Sequence, residues 1–282
     1  MKKLIYSFVG LFIITSSFAQ EAADKKIQAG LVMGTGISFQ KIGTNFMKTN
    51  GIGTDLTIGA NVNFSLTETI AFTTGAEFDF STLKYKAAAY ELNNKVNNVY
   101  YWYNDKELLE MNEVDALNDN HQLFELMERR QKSVYLTVPT MLTFRTNFIG
   151  YMRYFGKFGL RNSFLLKSTI FDKGFDLDPE SPTGTKSGSV NLDEMKAPGE
   201  MFFFKSAVGL VGGAEWNFTG STCLVAELGF YYGFTPLHAN RNTEKGNNYL
   251  FATDVNNGSG NNVEFNNKAT QSQLMLKISI LF

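Results

Sequence analysis

Any chemistry in this chain must come from a small set of side chains. There are only two histidines, His121 and His238, and one cysteine, Cys223. A metal centre needs three or four His, Cys, Asp or Glu ligands at short spacing. Neither histidine has such company, so both read as solvated loop side chains. Cys223 begins an alternating segment with no evident base beside it, which argues against a nucleophile. Asp172, Asp176, Asp178 and Glu180 are the one acidic set that could suit calcium at low affinity, and a solvated acidic loop is the simpler reading. Gly34-Thr35-Gly36 and Gly209 to Gly213 lie inside alternating segments rather than between a strand and a helix, which removes the phosphate-cradle mechanism. No catalytic set, cofactor or metal is expected.

The remaining polar chemistry is electrostatic. Glu77, Asp79, Glu215 and Glu227, with Arg145, Lys157, Arg161, Lys167, Lys205 and Lys277, fall on the wetter side of segments whose other side is oily. A Lys or Arg turned into lipid near the midplane costs about 2–4 kcal/mol, so in a membrane these groups must point inward. Eight strands enclose a space that side chains just fill. The charges are therefore expected to pair across a lumen rather than line a pore.

Positioning them requires strands, and the pattern supplies eight. Alternation at period two predicts strands over about 27–40, 53–66, 69–84, 132–146, 151–170, 201–218, 222–235 and 272–282. In the last, Leu274, Leu276, Ile278, Ile280 and Phe282 alternate with Gln273, Met275, Lys277, Ser279 and Leu281. Such an edge must be paired, and closing a barrel in lipid removes it. The stretch resembles the C-terminal assembly signal of bacterial outer-membrane barrels. The joins near Thr67, Asn147 and Gly220 are short; those over 85–131, 171–200 and 236–270 are long, and that over 41–52 is intermediate. Short turns at one end and long loops at the other are the asymmetry of such barrels. The fold expected is all-β: an eight-stranded antiparallel transmembrane β-barrel with long external loops, both termini in the periplasm.

One long loop carries a second pattern. Leu108, Leu109, Met111, Val114, Leu117, Leu123, Phe124 and Met127 recur at helical spacing, predicting one or two short amphipathic helices between about Asp105 and Arg130. They would cap the rim or dock a partner. Tyr100-Tyr101-Trp102-Tyr103 just before them reads as a membrane-interface anchor, with sugar or protein binding as the alternative. The run Asn256 to Asn262 reads as a flexible loop tip.

The N-terminus predicts export. Lys2 and Lys3, the apolar run Leu4 to Ile14 and Ser17-Phe18-Ala19 before Gln20 have the form of a cleavable signal peptide over 1–19, leaving 20–282 as the barrel domain. With 26 Phe, 12 Tyr, 25 Gly and 5 Pro, the composition suits a membrane barrel. The 26 basic and 27 acidic residues leave no overall basic surface for nucleic acid.

Tyr135-Leu136-Thr137-Val138-Pro139-Thr140-Met141-Leu142-Thr143-Phe144, followed by Phe155-Gly156-Lys157-Phe158-Gly159-Leu160, resembles the central strands of the PorT family of outer-membrane barrels. Gly229 to Gly233 and the terminal Leu-Phe add to the likeness. Pro139 within a strand fits only at a bulge or a break in pairing. The resemblance implies a cell outer-membrane barrel without catalytic residues and with a link to protein secretion. Its expected partners are outer-membrane lipid, the barrel-assembly machinery during insertion, and secretion-system or envelope proteins. Three roles compete: a structural or interaction barrel, a channel for small solutes or hydrophobic ligands, and an enzyme at the external rim.

Overall fold

The computed structural model describes residues 26–88, 90–92, 95–114, 120–177, 188–219, 222–253 and 262–282. The expected signal peptide over 1–19, Asp178, Glu180 and all of the loop tip except Asn262 lie outside the described residues. Eight strands carry the fold: β1 (Ile27–Ile42), β2 (Gly53–Ser65), β3 (Ile70–Ala87), β4 (Gln122–Arg145), β5 (Met152–Leu177), β6 (Phe204–Thr219), β7 (Thr222–Gly233) and β8 (Ala269–Leu281). Each pairs antiparallel with its neighbours in the chain. β8 returns to β1, from Gly30 opposite Leu281 to Ile42 opposite Ala269, which closes the ring and leaves no edge.

The pleat sorts the side chains. On β8, Leu276 and Ile278 are 50% and 46% exposed while Lys277 between them is 3% exposed. The oily outer face begins at the row Ile70–Phe144 and runs to Phe80–Val134. The ten rises between those rows span about 34 Å of strand, or about 26 Å of height at a tilt near 40°. That is the hydrocarbon thickness a membrane barrel must cover. At the end with short joins, Tyr151, Trp216 and Phe218 lie exposed beside the band, as an aromatic girdle does.

Two irregularities follow from the sequence. The β3–β4 ladder is interrupted between Thr74–Thr140 and Glu77–Thr137, where Pro139 has no N–H to donate. β5 shifts register between Leu165 and Lys167 against β4. That bulge reverses the inward and outward parity of everything after it. Lys167, expected in the lumen, is therefore exposed on the outside, and Asp172, expected in a solvated loop, is buried inside.

β4 and β5, 24 and 26 residues long, far exceed the 9–11 residues or so that cross a bilayer. Their distal halves stand beyond the band and nucleate a lid. Val99–Asn104 pairs with β4, Leu250–Thr253 pairs with Val99–Asn104, and Asn262–Phe265 pairs with Leu250–Thr253. Val190–Met195 pairs with β5. Among the described residues of 105–130 the predicted helices are not formed: strand Glu107–Leu109, one 3-10 turn at Met111–Glu113 and the start of β4 stand there instead. Leu123, Phe124 and Leu126 are buried on both faces of β4. A two-sided apolar run has no period-two signature, and strand pairing overrode the helical spacing. The aromatic cluster also moves: Tyr101 and Tyr103 are buried in the lid against Phe124 rather than anchored at an interface.

Candidate functional site: a filled lumen under a folded lid

The lumen gathers most of the charged residues into cross-barrel contacts. Arg161 on β5 donates to Asp79 (2.6 Å) and Glu77 (3.1 Å) on β3 and to Gln273 (3.0 Å) on β8. Lys277 on β8 reaches both oxygens of Glu77, at 2.8 and 2.7 Å. Thr57 and Thr137 donate to Asp79. Opposite walls are thus tied through buried charges whose lone pairs and protons are mostly used, the condition under which burial of ions is tolerated. Tyr231 closes the cluster, with the Arg161 guanidinium 5.1 Å from its ring centroid. Two glycines make room for that ring. A Cβ at Gly209 or Gly229 would come within 2.7 or 2.9 Å of it.

Nearer the short-turn end, Lys157 pairs with Glu227, and Glu215 takes a bidentate contact from Arg153 at 2.8 and 2.7 Å. Arg153 shares parity with Lys157 and Arg161, so the alternation of β5 was sufficient to find it. Arg145 is buried close to that pair, in the wall of the same small cavity as Lys157 and Glu215. Lys205 reaches Gln271 at 3.0 Å and lies 3.8 Å from the centre of the Tyr135 ring. Lys167 takes no part. The two cavities found along the lumen are about 10 Å³ each, room for about one water molecule.

The lid has its own ionic centre. Arg129 on β4 grips Asp172 on β5 with Nε to Oδ1 at 2.9 Å and Nη2 to Oδ2 at 2.8 Å, and reaches Glu200 in the β5–β6 loop at 3.1 Å. All three are buried. Arg241, in the β7–β8 loop, binds Glu110 of the β3–β4 loop and the carbonyl of Pro198 (2.7 Å) in the β5–β6 loop. One side chain therefore clasps all three long loops. Around these ions packs a core that includes Leu83, Tyr85, Val99, Tyr101, Phe124, Leu126, Met195, Leu237 and Phe265. Sequence reasoning missed the triad because Arg129 was assigned to a helix and Asp172 and Glu200 to a loop. Asp176, the other described member of the acidic set, accepts from the Tyr103 hydroxyl at 2.9 Å.

His238 sits in this lid, 3% exposed, against Gln131, Asn267 and the Tyr85 ring. Burial, then the nearby Arg129 guanidinium, lowers its pKa from 6.5 to about 3. The folded lid keeps this ring neutral where the unfolded chain protonates it, so its contribution is lost as pH falls below about 6.5. From pH 6.5 to 5 the loss is about 1–2 kcal/mol, or roughly 15-fold more open lid. Amide exchange of the lid at both pH values, in wild type and His238→Asn, checks it. The expected result is a steeper acid response in wild type; Asp172 and Glu200 titrate alike in both proteins and cancel in the difference.

Among the described residues no group of three metal-ligating side chains occurs. His121 and His238 are both buried rather than solvated as the sequence suggested, His238 because Gln131, Asn267 and the Tyr85 ring pack against it. Leu274, Leu276, Ile278, Ile280 and Phe282 line the outer face of β8 and its end.

The family described as outer membrane protein beta-barrel domain matches residues 18–239. No curated protein sequence matches the chain. Among solved structures, the outer membrane protein OprG from Pseudomonas aeruginosa is similar at 11% identity over 93% of this chain and 96% of that one, with a TM-score of 0.41. A major outer membrane protein from Thermus thermophilus is similar at 15% identity over 92% and 99%, with a TM-score of 0.38. The outer membrane protease OmpT from Escherichia coli is similar at 10% identity over 95% and 99%, with a TM-score of 0.34.

Proposed function

Because the chain belongs to the outer membrane protein beta-barrel domain family, we propose that it is a non-conducting, non-enzymatic barrel that holds a folded lid at the cell surface as an interaction platform. The observation that carries this reading is the pairing of a filled lumen with a lid that has its own core. A channel needs a continuous path, and ion-paired side chains occupy the interior. A rim enzyme needs a nucleophile beside a base, and His238 is enclosed among amides and Arg129 with a depressed basicity.

Within the same reading the three long loops face outward and both termini face the periplasm, in keeping with the even strand count. The oily face of β8 ending at Phe282 presents the assembly signal to the insertion machinery. Membership of the PorT family and a secretion or envelope partner rest on the motif around Pro139 and on the lid surface. Planar-bilayer recordings with the full-length protein test the reading: wild type is expected to give no sustained conductance. Crosslinkers placed on the lid in cells are expected to capture a defined envelope partner. Steady conductance by wild type, or a lid deletion that leaves secretion and the envelope unchanged, contradicts it.

A further inference from the structure

The oily band ends abruptly on one side of the barrel. Across β3, β4 and β5 the outward rows read Phe78–Leu136–Phe164, Phe80–Val134–Lys167, Thr82–Lys132–Thr169 and Lys84–Arg130–Phe171. Each row rises about 7 Å along the strand, so the surface turns from hydrocarbon to cationic within one or two rows. Lys84 stands directly opposite Arg130. Like charges in that position destabilise a sheet. Among the described residues neither makes an ion pair, and Lys132 and Lys167 make none either. The contrast with the lumen, where most charges are paired, is sharp.

Three further features shape this patch. Arg130 and Lys132 both lie over the Phe171 ring, at 5.1 and 4.6 Å from its centroid, which gathers the two cations over one ring. The bulge in β5 puts Leu166 and Lys167 side by side on the outer surface, an apolar contact next to a charge. The row above, Lys86–Glu128–Lys173, adds more base than acid, and Lys48 pairs beside Lys86. Among the described residues Glu128, the acid in that row, makes no ion pair with it.

We infer that this outer face of β3–β5 binds the phosphate-bearing headgroup of an anionic lipid in the leaflet on the lid side. The height selects a lipid rather than a soluble anion: the cations crown the hydrocarbon band, and acyl chains would descend along Phe80, Val134, Phe164 and Leu166. The inference rests on the membrane placement proposed above.

The test uses full-length protein in nanodiscs of phosphatidylcholine with and without phosphatidylglycerol. Native mass spectrometry counts retained lipids, and the thermal unfolding midpoint is read alongside. Wild type is expected to retain phosphatidylglycerol in preference to phosphatidylcholine and to unfold at a higher temperature with it. The triple variant Lys84→Gln, Arg130→Gln, Lys132→Gln is expected to lose at least about tenfold of that preference, while Lys245→Gln keeps it. An inserted triple variant that retains phosphatidylglycerol as wild type does overturns the site. Equal stabilisation by inorganic phosphate in phosphatidylcholine discs overturns the lipid assignment. If the triple variant does not insert, the wild-type arm decides alone, and absence of preference there overturns the inference. A wild type that fails to insert would instead refute the membrane placement.

Discussion

Arg161→Ala will destabilise the barrel by about 3–5 kcal/mol, the usual consequence of stranding a buried partner charge. Among the described residues Asp79 then keeps the hydroxyls of Thr57 and Thr137, and Glu77 keeps Lys277. The lost contacts also uncouple β5 from β3 and β8, since one guanidinium reaches all three. The cost comes mainly from the carboxylate left behind. Arg161→Met combined with Asp79→Asn should therefore recover most of it, because replacing a buried ion pair by neutral groups of similar volume is often neutral or favourable. Urea titration in lipid vesicles, scored by the mobility of unboiled protein on a gel, measures both variants. A loss below about 1 kcal/mol for Arg161→Ala would mean that water reaches Asp79 and that the lumen is open.

Arg129→Ala will have an effect of similar size in a different place. It leaves Asp172 and Glu200 buried in the lid without their cation, again about 3–5 kcal/mol. These groups lie beyond the oily band, so the loss should fall on the lid alone. Limited proteolysis should cut the loops between β3 and β4 and between β5 and β6 much faster than in wild type, while the membrane-embedded part keeps its compact mobility. If lid and barrel instead unfold together, the lid is not a separate cooperative unit, and its description as a platform resting on the barrel fails.

The period-two pattern was enough to read the strand order, the closed ring and the outward faces, because each strand in the band meets lipid on one side and a polar interior on the other. It was also enough to put Glu77, Asp79, Arg161 and Lys277 on one side of their strands, though which charge meets which depends on register across the ring. The pattern failed where that two-phase environment ends. Above the band, Leu123, Phe124 and Leu126 pack on both faces of β4, so alternation vanishes and helical spacing appears by coincidence. Lys167 failed for a local reason: one extra residue in β5 inverts parity, and nothing in Phe164-Leu165-Leu166-Lys167 announces it. The Arg129–Asp172–Glu200 triad needed both of these features and was invisible to a one-dimensional reading.

Spin labels along β8, placed one at a time from residue 273 to 280 in a Cys223→Ala background and reconstituted in bilayers, report which side chains face lipid and which face the lumen. Collision with lipid-soluble oxygen should peak at positions 274, 276, 278 and 280 and drop at 273, 275, 277 and 279. A label at position 277 as accessible to oxygen as one at 278 would contradict a lumen enclosed behind a lipid-facing outer surface.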